Sequence, residues 1–68
     1  MKQISIDEDF IRLDNLLKFQ NVVSSGGHAK FVIQNGEVKV DGEICTMRGK
    51  KLRKGNTVEY EEYSFIIV

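Results

Sequence analysis

The spacing of apolar residues changes along the 68-residue chain, and each change marks an element. Ile4 and Ile6 flank Ser5, a period of two that predicts a short first strand. Leu13, Leu16 and Leu17 then fall at helical spacing, with Arg12, Asp14, Asn15 and Lys18 off the stripe. That spacing predicts a helix starting between Asp7 and Arg12, with Asp7 or Asp9 as its cap. A second stripe, Ala29, Val32 and Ile33 with Phe31 at its edge, predicts another helix, opened by Ser24 or Ser25 and closed by Asn35-Gly36. Val22 and Val23 lie in the short connection and are expected to seal the space between the helices. Val38 and Val40 alternate with Glu37 and Lys39, Asp41-Gly42 supplies a hairpin turn, and residues 43–46 are expected to return beside them. Residues 47–56 read as a polar loop held to the core by Leu52, and residues 57–60 and 63–68 as two final strands joined at Glu61-Glu62. The pattern predicts an α+β fold: two short packed helices against a small, mostly antiparallel sheet of four to five strands.

Composition narrows the function. A chain this short buries only about 60% of the surface its unfolded form exposes, so the 41% of residues that are hydrophobic must supply the core. One cysteine rules out an internal disulfide, and one histidine leaves no structural zinc cluster. Cys45 is expected to be a small core residue. The first apolar run is brief and broken by Asp7, Glu8 and Asp9, unlike a signal peptide, and no run nears the ~18 apolar residues of a membrane span. A cytoplasmic protein without a membrane partner is expected.

Net charge is zero, ten basic against ten acidic residues, but the charge is sorted. Five of the seven residues from Arg48 to Lys54 are basic and none is acidic, while acids gather at Asp7, Glu8 and Asp9 and at Glu59, Glu61 and Glu62. Polyanions respond to the local field, so a neutral chain can still present one positive face. Arg48 and Arg53 can hold a phosphate through paired hydrogen bonds, with Lys50, Lys51 and Lys54 as mobile point charges. Gly26 and Gly27 either permit tight helix packing or open a helix amino terminus to a phosphate, and both readings can hold. His28 is a surface imidazole or a contact to that phosphate or to a base. No acid or thiol stands at a recognised catalytic spacing from it, and no calcium loop follows the three adjacent acids, so neither an enzyme, a metal nor a cofactor is expected. No aromatic is interleaved with the basic run, which favours folded RNA over a single-strand stacking platform.

The runs IRLDNLLKF, SSGGHAKFVIQNGEVKVDGEI and KLRKGNTVEY, taken together, resemble the αL RNA-binding domain first known from ribosomal protein S-four. Arg12-Leu13-Asp14 matches that family's start of helix one, Ser25 to Ala29 its second helix, Gly36 to Gly42 its hairpin, and Lys54 to Val58 its closing motif. The likeness covers about residues 11–60 and implies a single RNA-binding domain over 1–68; the double glycine and the length look most like the bacterial YaaA/YbcJ-like proteins. It further implies a non-catalytic, monomeric accessory factor in ribosome assembly or translation. The implied partner is structured RNA, rRNA before tRNA, free or in the ribosome or an assembly intermediate. Carried over by position, the RNA-binding residues are Ser25, Gly26, Gly27, His28 and Lys30, with Lys39, Arg48, Lys50, Lys51, Arg53 and Lys54, and secondarily Arg12 and Lys18. Asn56 replaces the family's aspartate, which should affect a turn more than binding. The second helix is also less basic than in many relatives, implying modest affinity or a need for a partner. The alternative is a protein-interaction module with incidental RNA affinity, motivated by the acidic residues 59–62 and an apolar terminal strand that could pair with another chain.

Overall fold

In the computed structural model, which describes residues 1–68, the chain forms β1 (Lys2–Ile4), β2 (Ile11–Arg12), α1 (Leu13–Phe19), α2 (Gly26–Gln34), β3 (Val38–Val40), β4 (Glu43–Ile44), β5 (Lys51–Leu52), β6 (Thr57–Tyr60) and β7 (Tyr63–Ile67). Five strands make one sheet in the order β1-β7-β6-β3-β4, with β1 parallel to β7 and every other pair antiparallel. Strands β2 and β5 form a separate antiparallel ribbon, Ile11 opposite Leu52 and Arg12 opposite Lys51.

The periodicities do the expected work. Leu13, Leu16 and Leu17 from α1 and Ala29, Val32 and Ile33 from α2 share one core with Val38, Val40, Val58, Tyr60, Phe65 and Ile67 from the sheet. Each fully buried aliphatic side chain contributes about 1.5–3 kcal/mol. No polar or charged residue is buried with them, so nothing in the core demands a compensating partner. Val23 is buried and Val22 packs at the core's edge, as expected of the helix connection.

Both helices stop in the same way. After α2, Gly36 takes φ +77°, its N–H donates to Ile33 O and that of Glu37 donates to Val32 O. After α1, Asn21 takes φ +59°, with its N–H donating to Lys18 O and that of Val22 to Leu17 O. These paired bonds satisfy the last helical carbonyls and require a left-handed residue, which glycine and asparagine supply most readily. The hairpin between β3 and β4 uses Asp41 (φ +53°) and Gly42 (φ +84°), the double positive φ whose twist matches the strands it joins.

Three expectations are corrected. The first strand ends at Ile4, and Ile6 lies beyond it, half-buried with its N–H donating to Val68 O. The first helix starts later than predicted, at Leu13, and neither Asp7 nor Asp9 caps it. Both aspartates are exposed, and the amides of Leu13 and Asp14 donate instead to the carbonyls of Lys50 and Arg48 at 2.9 and 3.0 Å. The return strand of the hairpin is only two residues long, and the loop over 47–56 contains β5, whose Leu52 is fully buried. The terminal strand β7 is the core strand expected of residues 63–68, and since it lies between β1 and β6 it offers no free edge to the alternative of pairing with another chain.

Candidate nucleic-acid interface

The amino end of α2 is built by two serines. Ser25 is the N-cap, its Oγ accepting from the N–H of His28 at 3.1 Å, and its carbonyl takes the first helical bond from Ala29 N–H. The N–H of Ser24 donates to His28 Nδ1 at 3.1 Å, with the Ser24 hydroxyl 3.3 Å from the same nitrogen. Nδ1 is therefore the acceptor, and in the neutral ring Nε2 carries the proton and stays free to donate. The amides of Gly26 and Gly27 have no acceptor in the chain. A Cβ built on Gly26 meets nothing within 4 Å, and one on Gly27 meets only Ser25 Oγ at 3.8 Å. Of the two readings of the glycine pair, tight helix packing is thereby removed. What remains is two free amides at the positive end of a helix dipole, open to solvent, with Lys30 exposed one turn on.

The basic run forms a second group around the start of α1. Arg48 and Lys50 give their backbone carbonyls to α1, which fixes the loop while leaving both side chains exposed. Arg12, at the N-cap of α1, pairs with Asp14 at 3.1 Å, and its guanidinium lies 3.4 Å from where a Cβ on Gly49 would stand. Lys51 Nζ lies 4.9 Å, and the Arg53 guanidinium 5.8 Å, from the centre of the Phe10 ring. The Arg12–Asp14 pair is the chain's one ion pair, so Arg48, Lys50, Lys51, Arg53 and Lys54 face solvent with no carboxylate in reach.

The other expected residues stand apart. Lys18 is exposed in the last turn of α1. Lys39 stands opposite Glu59 in the sheet and shares a shallow recess with Glu37, Glu59, Tyr60 and Glu61, an acidic neighbourhood. Burial, and then the charges of Glu61, Glu37, Tyr63 and Glu62, hold the Tyr60 hydroxyl above its ordinary pKa. No hydrogen bond joins the α2 group to the basic run.

Sequence reasoning missed Phe10. Nothing local marks it, because it lies some 40 positions before the lysines and becomes their neighbour only through the β2–β5 pairing. No aromatic is interleaved with the basic run in sequence, yet Phe10 stands beside it in space. Cys45 is half-buried at the core's edge, and no three of His, Cys, Asp or Glu converge as metal ligands. No helix is long and apolar enough to cross a membrane.

The model of the S4 domain family matches residues 4–68. The chain belongs to the S4 domain family. Its sequence is 44% identical over 66 residues to the Bacillus subtilis (strain 168) protein named "Probable ribosome maturation protein RlbA", covering 96% of this chain and 93% of that one. It is 38% identical over 58 residues to YbcJ of Escherichia coli (strain K12), covering 85% and 83%. The fold matches the solution structure of E. coli YbcJ with a TM-score of 0.74 and 35% identity, over 100% of this chain and 87% of that one; that structure is described as revealing an αL motif involved in RNA-binding. A tyrosine–tRNA ligase of Pseudoalteromonas translucida (strain TAC 125) is 37% identical over 59 residues, 85% of this chain but 15% of the ligase. In this S4 domain the expected fold of two helices on a mostly antiparallel sheet holds, with the β2–β5 ribbon added beside it.

Proposed function

We propose that this S4 domain is a non-catalytic RNA-binding protein of the cytoplasm that recognises structured RNA, ribosomal RNA before tRNA, as an accessory factor in ribosome assembly or translation. The observation that carries the reading is the unpaired basic run, fixed to α1 through its backbone and free in its side chains. The open amides of Gly26 and Gly27 supply an independent phosphate seat. RNA is favoured because A-form helices are read through phosphates and 2′-hydroxyls, which lysine, arginine and free amides suit. The names of the B. subtilis and E. coli relatives point the same way. No convergent acid, base and nucleophile suggests catalysis: His28 Nδ1 accepts from the Ser24 backbone N–H, and no carboxylate hydrogen-bonds the ring.

The test is the triple variant Arg48→Glu, Lys50→Glu, Lys51→Glu. Arg48 and Lys50 serve the fold through carbonyls, and losing Lys51 over Phe10 costs about 0.5–1 kcal/mol, so the variant should fold. Wild-type affinity for a hairpin RNA should fall with salt at a log–log slope of roughly −3, about four phosphates at ~0.7 each, and the folded variant should not bind. Unchanged affinity in the variant refutes the assignment. Crosslinking in the native cells, with sequencing of the recovered RNA, should give a sharp peak on one rRNA helix.

A further inference from the structure

We propose that the cleft between residues 6–12 and α1 receives one unpaired base of the bound RNA, with Phe10 as its stacking surface; this rests on the RNA-binding reading above. The cleft has a volume of about 410 Å³ and is lined by Ile6, Phe10 and Phe19 together with Asp7, Glu8 and Arg12. Core packing does not account for its aromatic rings. Phe10 belongs neither to the 15 buried core residues nor to the side chains packed against them, and Phe19 is 63% exposed.

The charges around the ring are divided. Lys51 and Arg53 lie over Phe10 and would meet the phosphates flanking an inserted base. Asp7 and Glu8 accept no hydrogen bond within the chain. A phosphate is repelled by those carboxylates, whereas the exocyclic amine of adenine, cytosine or guanine can donate to them. Acceptors and an aromatic wall inside the cleft, with two cations over the Phe10 ring beside it, fit a nucleotide turned with its base inward. Base–aromatic stacking also tolerates any base, which suits a protein whose other contacts go to the backbone.

The test uses a short RNA hairpin in three forms: with one bulged adenosine in its stem, with an abasic residue at the bulge, and fully paired. Wild-type protein should bind the bulged hairpin about tenfold more tightly than the abasic one, the size of a single base–aromatic stack. Phe10→Leu should lose that preference and bind the bulged and abasic hairpins equally. Phe10→Trp should keep it, and because the chain has no other tryptophan, the new indole emission should be quenched by the bulged hairpin alone. Equal wild-type affinity for the bulged and abasic forms, with the salt slope intact, overturns the base cleft and leaves RNA binding standing. Absence of salt-dependent binding to all three hairpins overturns both.

Discussion

Asn56 shows how one atom exchange can matter at the residue scale. Its Oδ1 accepts from Arg53 N–H at 2.7 Å, and its Nδ2 donates to Asp41 Oδ2 at 2.8 Å, while Asp41 Oδ1 accepts from Thr57 N–H at 2.8 Å. The amide thus ties the hairpin turn to the segment that follows the basic run. An aspartate at 56, as in the motif the sequence resembles, would keep the Arg53 bond but set two carboxylates against each other. Asn56→Asp should lower unfolding stability by about 1–2 kcal/mol in urea titration. Adding Asp41→Asn should restore most of it, because the donor then comes from the other side of the same bond. Additive losses in the double variant would refute the coupling. This pairing was invisible in sequence, since the partners are fifteen positions apart; the Ser25 cap was readable, since its partner is three positions away. Phe10 was missed for the same reason of distance.

Elements divide along the same line. Helix α2 and strands β3, β6 and β7 were readable because each carries its period within itself. Strands β2 and β5 have two residues each, too few to show any period, and exist only because they pair with each other. That ribbon also displaces the expected start of α1, whose first amides find carbonyls in the basic run rather than a local aspartate. Leu52 holds the arrangement, buried completely opposite Ile11. Leu52→Ala should cost about 2–5 kcal/mol, a large part of what a domain this small possesses. Hydrogen exchange at the amides of Leu13 and Asp14 should accelerate more than at Val58 in the central strand. Equal acceleration at all three amides would mean that the loop and α1 are not locally coupled. Because the same side chain positions the cations, RNA affinity should fall with the fold, unlike in the charge-reversal variant.

Across the whole molecule, ten cations and ten carboxylates cancel, yet only one pair of them meets. The fold sets the basic run at the start of α1 and the acids of the sheet around Tyr60, with Asp7 and Glu8 left near the run beside Phe10. Glu37, Glu59 and Glu61 share the recess beside Tyr60 with Lys39 as the one facing cation, and Tyr63 and Glu62 add charge from the adjoining turn and strand. Such an acidic face repels RNA and leaves the opposite sign to orient it. The arrangement also sets a pH limit. Burial first, and the surrounding charges after it, raise the Tyr60 pKa in the folded chain above its ordinary 10.0. Once pH exceeds that ordinary value the unfolded chain loses the phenolic proton while the folded chain retains it. The folded state then binds more protons, and stability must fall as pH rises towards the folded value. Below the ordinary value both states are protonated and the contribution of the neutral phenol is fully present. Denaturant titrations should therefore show wild-type stability dropping above pH 10 more steeply than that of Tyr60→Phe, which has no proton to lose. Parallel curves for the two proteins would place the alkaline loss elsewhere than on Tyr60.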